Sequence, residues 1–505
     1  MQNIYNDVRV LDANCRQAYG LTEDIMMENA ACALEQVVRK RLSQLSNKNV
    51  PIYILTGSGN NGADGYALLR RLTGTCTVYA LALSEPKSSL CIEQKKRALL
   101  CGAQVLDDSH VNSLVSADGI IVDCVFGCGF HGTLDEHIAS SISKANESAS
   151  YRIACDVPTG ITQDGTIESV AFSADETICM GALKLSLISD VAKDYVGHIS
   201  VQNLGLNRTL FESTEKPLAY LLEESDLHLP LRTKNNVHKG SFGHAVCVAG
   251  SKPGAAVIAS CAALRFGAGL VTLCGSVQNG QHLSLDADGI TSAQNMSVPY
   301  DLMCSESFPQ NTTALALGMG LGHDKELVQK NIQYLEEHPT VACVLDADIC
   351  YEQNIVDFLK KASLSHRKVV LTPHPKEFAA LLKVCGLGEY TVAQVVQNRI
   401  ALVKEFCALF KNIVLVLKGA NVVIAVHEEN ADCKIFINSF GTSALSKGGS
   451  GDVLAGMTLA LLAQGQTALC AATNASLAHA LASRSFSANF ALTPFALINA
   501  VASLA

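Results

Sequence analysis

Short apolar runs alternate with longer amphipathic ones along the whole chain. Residues 24–39 carry Ile25, Met26, Ala30, Leu34 and Val38 at helical spacing and predict a helix. Residues 50–55 form a continuous apolar run that reads as a strand, 67–72 read as a helix, and 78–83, 119–123 and 151–156 repeat the strand pattern. Continuous apolar strands separated by helices predict a parallel sheet covered on both faces. The pattern lapses over 212–240, where 212–217 and 232–236 are polar and turn-prone. A second strand-and-helix series then begins, with strands expected at 244–249, 270–274, 314–317, 341–346, 369–372 and 413–418. The expected architecture is α/β: two three-layer domains, 1–214 and 215–505.

Composition changes this picture in two ways. The net charge is −9 with no basic block, which argues against nucleic acid or an anionic membrane as the main partner. The 19 cysteines are scattered through apolar runs with no CxxC pair, so a reducing compartment is expected, with neither a disulfide framework nor a zinc site. The first residues lack a charged segment followed by an apolar core, and the apolar stretch 453–463 is short of a membrane span. A cytoplasmic location is the expectation.

The chemistry concentrates in glycine-rich segments. Lys447-Gly448-Gly449-Ser450-Gly451-Asp452 is followed at once by an apolar helical stretch. Glycines expose backbone N–H groups, and a helix N-terminus adds its dipole, so the run predicts an anion cradle. An acid there repels an anionic ligand, which makes sense if Asp452 takes a proton from a hydroxyl attacking a phosphoryl group. The plainer alternative is a helix-starting Asp after a turn. In the first half, Gly57-Ser58-Gly59-Asn60-Asn61-Gly62-Ala63-Asp64-Gly65 satisfies the G-x-G-x-x-G dinucleotide pattern, with Glu85 near the position of a ribose-binding acid. Asn60, Asn61 and Asp64 are more polar than that loop normally allows. Two further strand-end loops, 123–133 and 156–160, bring Asp123, Asp156 and Thr159, hard oxygen donors that suit a simple cation. Strand-end turn residues are the alternative reading. In the second half, 239–243, Gly318-Met319-Gly320-Leu321-Gly322, Thr372-Pro373-His374-Pro375-Lys376-Glu377 and Lys418-Gly419-Ala420 all flank strands, and their strand-end positions predict one shared cleft. Prolines on both sides of His374 predict a rigid binding residue rather than a structural loop histidine.

Met27-Glu28-Asn29-Ala30-Ala31, 59–65 and Asp156-Val157-Pro158-Thr159-Gly160 together resemble the YjeF N-terminal family, the NAD(P)H-hydrate epimerases, over essentially all of 1–214. The resemblance implies a Rossmann-like fold that interconverts the C6 epimers of hydrated NADH or NADPH. It places Asn60, Asn61, Gly62, Ala63, Asp64, Gly127, Cys128, Gly129, Phe130, His131, Gly132, Thr133 and Asp156 at the hydrate, with Asp156 as acid/base, and Asn61, Asp123 and Thr159 at a potassium ion. Two departures stand out: Ala63 for a usual Gly and Thr159 for a usual Ser, the latter keeping its hydroxyl.

From about 235 onward the motifs resemble the NAD(P)H-hydrate dehydratases, a branch of the ribokinase-like superfamily. That resemblance implies phosphorylation of the C6 hydroxyl of the S hydrate by ADP or ATP, followed by loss of phosphate. It makes Asp452 the base and places Ala255, Gly320, Gly322, His374 and Asp452 at the hydrate. Lys418, Gly419, Ala420, Asn421, Val422, Gly449, Ser450 and Gly451 fall to the adenine nucleotide. Mg2+ is expected on general phosphoryl-transfer grounds, with no ligands assigned. The fused architecture favours ADP. The expected partners are these small molecules, without nucleic acid or membrane, and the expected assembly is a homo-oligomer. The rival reading is a ribokinase-like small-molecule kinase with an accessory, non-catalytic nucleotide-binding domain.

Overall fold

The computed structural model describes residues 1–107, 110–111, 119–275, 298–322 and 324–504. The chain divides into two compact units, Gln2–Tyr220 and Leu221–Ala505.

The first unit is built on a 7-stranded sheet: β1 (Ile52–Thr56), β2 (Val78–Ala82), β3 (Gln104–Leu106), β4 (Ile120–Cys124), β5 (Tyr151–Cys155), β6 (Glu176–Met180) and β7 (His198–Gln202). Its order is β3-β2-β1-β4-β5-β6-β7, all neighbours parallel. The strand order reverses beside β1, and in open α/β sheets ligands bind outside the strand ends at that point. Side chains alternate across the pleat. Ile52 and Ile54 join one apolar cluster with the helices Glu23–Gln44 and Asn60–Leu72. Leu55, Leu81 and Ile121 join another with the helix Glu136–Glu147. Two cores on one sheet give three layers.

Two elements differ from the sequence expectation. The helix expected over 24–39 runs Glu23–Gln44, capped by the Thr22 hydroxyl. The helix expected over 67–72 begins at Asn60. Asn60–Asp64 therefore belong to its opening turns and not to a loop. Glycines at 62 and 65 make this fit: a Cβ on Gly65 would stand 2.8 Å from Cys124 Cβ.

In the second unit, β8 (His244–Ala249), β9 (Leu270–Gly275), β10 (Met303–Ser305), β11 (Ala314–Leu317), β12 (Ala342–Leu345), β13 (Val369–Leu371), β14 (Val414–Leu417), β15 (Val422–His427) and β16 (Cys433–Asn438) follow the order β10-β9-β8-β11-β12-β13-β14-β15-β16. Pairing is parallel up to β14 and antiparallel from β14 to β16. Alternate residues Ala245, Cys247, Ala316, Val344 and Val416 pack against the helices Pro253–Arg265, Ser450–Ala463 and Ala468–Ser483. Gly456 lets two of these helices touch, since a Cβ there would fall 2.1 Å from the Ala259 carbonyl oxygen. No helix among the described residues is long and apolar enough to cross a membrane, and all the cysteines are free thiols.

Candidate active sites

In the first unit, the segments after β1, β4 and β5 enclose a cavity of about 540 Å³. Of the residues expected at the hydrate, Asn60, Asn61, Asp64, Gly127, Cys128, Gly129, Phe130 and Asp156 line it. Gly62 and Ala63 are buried in the packing instead, and His131, Gly132 and Thr133 are exposed and outside the lining. Gly57 and Gly62 serve backbone packing: a Cβ on either would come within 2.1 Å of a carbonyl oxygen. Glu85 is exposed, pairs with Lys95 at 3.2 Å and does not line the cavity, so the ribose-acid expectation fails.

Asp156 occupies a left-handed backbone conformation, φ 68°, one that Asp tolerates better than most residues. Its Oδ1 accepts from the Lys184 ammonium at 2.6 Å and from the Met180 N–H at 3.2 Å. Its Oδ2 accepts from the Cys128 N–H at 3.2 Å. Lys184 also donates to the Met180 carbonyl at 2.9 Å. Burial disfavours the Lys184 charge, but Asp156 outweighs it and raises the ammonium's pKa. Asp12 and Lys184 reach the cavity unannounced by any glycine motif. Burial lifts the Asp12 carboxyl to about 6 and the Cys128 thiol to about 12; it also pushes Asp64 well above the ordinary carboxylate value, reinforced by Asp156 and Asp12.

Asn61, Asp123 and Thr159 meet around the peptide of Phe126. Asn61 donates to the Phe126 carbonyl at 2.9 Å, the Phe126 N–H donates to the Thr159 hydroxyl at 3.0 Å, and that hydroxyl donates to Asp123 at 2.7 Å. Asp123 also accepts the N–H groups of Thr159 and Val125. Burial lifts it to about 6 against these bonds. Among the described residues no Lys or Arg ion-pairs with Asp123. One carboxylate among neutral oxygens is a donor set that fits a monovalent cation.

In the second unit, the helix Ser450–Ala463 starts after Gly449, whose φ is 89°. A Cβ on Gly449 would stand 2.5 Å from Pro494 Cγ. Asp452 lies on the first turn, half-buried, its carboxyl pushed to about 7 by burial and by Asp346, against the pull of Lys418. The Lys418 ammonium sits 3.2 Å from where a Gly451 Cβ would be. It pairs with Asp346 at 2.9 Å and lies 3.6 Å from Glu377. Burial works against Glu377 ionisation, but His374 and Lys418 outweigh it and hold its carboxyl below the ordinary value. Beneath the glycine run, His479 Nε2 lies 2.9 Å from the Ser450 carbonyl oxygen, and burial lowers its pKa to about 4, so the ring is neutral.

Part of the other segments expected at this cleft connects to the same cluster. The Lys418 N–H donates to the Pro373 carbonyl at 2.9 Å. A Cβ on Gly318 would strike the Asp346 carbonyl oxygen at 1.7 Å, which seats the Gly318–Gly322 loop at the end of β12. Gly320 accepts the Lys252 N–H, one turn before Ala255. Gly419 and Ala420 are exposed, and Asn421 is buried at the start of β15, which opens at Val422. His374 departs from the expected rigid loop: it is the N-cap of the helix Pro375–Val384. Its Nδ1 accepts the N–H groups of Lys376 and Glu377, and Nε2 meets Glu377 at 3.0 Å. The segment 239–243 lies apart from this cluster: Gly243 packs on the Ala463 carbonyl, at the opposite end of the helix from Gly449.

Lys418 against Gly451 yields a direct expectation. Gly451→Ala makes the ammonium give way by a few tenths of an ångström, and kcat/KM for the reaction at this cleft is expected to fall by up to about tenfold, the equivalent of about 1.4 kcal/mol. Steady-state kinetics with varied nucleotide checks it.

Comparison with known proteins adds the following. The profile of the family described as NAD(P)H-hydrate dehydratase matches residues 245–502, and that of the YjeF-related protein N-terminus matches 23–186. A curated relative from Helicobacter pylori, "Bifunctional NAD(P)H-hydrate repair enzyme Nnr", is 41% identical over 507 residues, covering 100% of each chain. Its Escherichia coli namesake is 28% identical over 501 residues, covering 96% of this chain and 89% of its own. A crystal structure of the ADP/ATP-dependent NAD(P)H-hydrate dehydratase from Bacillus subtilis, co-crystallised with ATP/Mg2+, is 26% identical with a TM-score of 0.44, over 57% of this chain and 97% of its own.

Proposed function

The chain belongs to the bifunctional NAD(P)H-hydrate repair enzymes, and from that premise we propose how its two units divide the work. The first epimerises R- and S-NAD(P)H hydrate. The second dehydrates the S form to NAD(P)H at the expense of ADP or ATP, giving AMP or ADP and phosphate. The observation that carries the second reaction is Asp452: a half-buried carboxyl with a pKa of about 7, on the first turn of a glycine-capped helix beside Lys418. A base so poised is matched to proton removal near neutral pH. Asp452 takes the proton of the C6 hydroxyl as the phosphoryl group arrives. The N–H groups of Gly449 and Gly451 then stabilise the charge on that group, while the Ser450 N–H is bonded to the Lys447 carbonyl at 3.2 Å and fixes the turn. Lys418 and the segment to Val422 hold the nucleotide, and ADP is the favoured co-substrate.

Potassium, held by Asn61, Asp123 and Thr159, would supply fixed positive charge beside the epimerase cavity. Mg2+ belongs to the nucleotide phosphates. Among the described residues no three His, Cys, Asp or Glu side chains gather to hold a metal, and Lys418 engages Asp346, so the phosphates themselves would be the main ligands of Mg2+. The deciding experiment incubates the full chain with each epimer separately, plus ADP or ATP, and follows the return of dihydronicotinamide absorbance. S-hydrate is expected to recover at once and R-hydrate through epimerisation. No recovery with either nucleotide overturns the reading in favour of a small-molecule kinase.

A further inference from the structure

The epimerase cavity holds four carboxyl groups, those of Asp12, Glu23, Asp64 and Asp156, and three cations, those of Arg9, Arg16 and Lys184. Each cation is committed. Lys184 pairs with Asp156 at 2.6 Å, Arg9 with Asp7 at 2.7 Å and Arg16 with Glu23 at 2.7 Å. No ion pair reaches Asp64 or Asp12 among the described residues. Asp156, by contrast, receives three donors: the Lys184 ammonium and two backbone N–H groups. An oxygen pair ringed by donors is an acceptor, the bonding pattern of an ionised carboxylate. It is therefore a poor source of a proton.

Glycine at 127 keeps one edge of Asp156 open, since a Cβ there would stand 3.1 Å from Oδ2. That oxygen has one bonded donor and remaining acceptor capacity. Asp64 faces the same cavity from the opening turns of Asn60–Leu72. Its charge is opposed by burial, by Asp156 and by Asp12. Two carboxyls in one cavity, one ion-paired and one not, have divided roles: the first carries charge and the second carries the proton.

We propose that Asp64 is the proton donor in hydrate epimerisation, and that Lys184 is a positioning residue holding Asp156 as the carboxylate that faces the cationic ring. The substrate in this inference rests on the function proposed above. Asp64 gives its proton to the C6 hydroxyl oxygen. The C6–O bond breaks with its electron pair on the departing water, and the N1 lone pair closes a C6=N1 bond. Water adds to the other face of C6, the C6=N1 pair returns to N1, and the proton that water sheds restores Asp64. Nothing is oxidised or reduced, and no further reactant is consumed.

Two measurements on the full chain decide it. Wild-type protein converting R-hydrate in oxygen-18 water is expected to place one solvent oxygen on C6 at each epimerisation. An unlabelled S product at initial rates overturns the proposal. Asp64→Asn, nearly isosteric, is expected to lose at least 100-fold in epimerase kcat with KM within threefold, general acid catalysis contributing about 10²–10⁴. A loss under tenfold overturns it, as does a larger loss in Asp12→Asn than in Asp64→Asn. Dehydration of S-hydrate by the same samples measures the active chain. If wild-type protein neither epimerises nor dehydrates, the functional premise has failed and not the assignment of Asp64. Should Asp64→Asn fail to accumulate, the proposal is overturned by an unlabelled S product from the parent, or by Asp12→Asn losing epimerisation at least about 100-fold while dehydration persists.

Discussion

Asp452→Asn is expected to lower kcat for S-hydrate dehydration by about 10²–10⁴, with nucleotide KM changed far less. Asn keeps the shape and loses the acceptor that takes the proton. The pH dependence follows from the same group. Burial, reinforced by Asp346 and Glu377 and opposed by Lys418, sets its carboxyl near 7 instead of 3.8. The working form is the carboxylate, so wild-type kcat is expected to rise with pH through about 7. Lys418→Met removes the opposing cation and moves that limb to higher pH. Stability has the opposite sign. A folded-state pKa above the unfolded value means the native state binds the proton more tightly than the unfolded chain does. The Asp452 contribution therefore lowers stability as pH rises from about 4 to about 7, and the penalty is complete above that range. Asp452→Asn removes it, so the variant is expected to unfold at the same temperature as the parent or higher at pH 8. Kinetics and calorimetry across pH 5–9 check both halves. Near-normal turnover places the base elsewhere.

The parts of these sites that are contiguous in the chain are legible in the amino-acid sequence alone. Glycine runs at strand ends announce themselves because their backbone demands are local: Gly449 needs φ near 89°, and Gly57 has no room for a Cβ. The partners that set their electrostatics are not legible there, because register brings them from afar. Asp346 follows β12 and Lys418 follows β14, two strands over in the sheet and 72 residues away, and only the parallel stacking puts their charges 2.9 Å apart. Lys184 leaves one trace, a lone cation inside the apolar stretch 178–188. The local setting of His374 differs from its sequence reading for a physical reason. Pro375 is the N1 residue of a helix and His374 its cap, so the prolines mark a helix start rather than a stiffened binding loop. The early start of Asn60–Leu72 is hidden likewise. A helix N-terminus facing a cavity needs no apolar residues, and its polar, glycine-rich opening reads as a loop.

Lys184→Met is expected to destabilise the first unit strongly. The ammonium is only 2% exposed, and its partner Asp156 is itself buried. Methionine fills the place of the lysine stem as far as Cε but leaves a carboxylate without its cation. Breaking a buried pair from one side costs about 3–5 kcal/mol, because the remaining charge is neither solvated nor paired. Removing both charges avoids that penalty, so Lys184→Met combined with Asp156→Asn is expected to recover most of the loss. The recovered energy would measure the coupling between the two residues. Calorimetry on the full chain is the suitable readout, because the chain has no tryptophan and two compact units need not unfold in one step. The wild-type pair also predicts a pH signature. The Lys184 pKa is raised on folding, so its contribution is complete below the unfolded value of 10.5 and is lost only as pH climbs through the higher folded value. Through the neutral range the pair should therefore be insensitive to pH. If Lys184→Met and the double variant are equally unstable, the penalty comes from lost packing and the ion pair is not what secures Asp156.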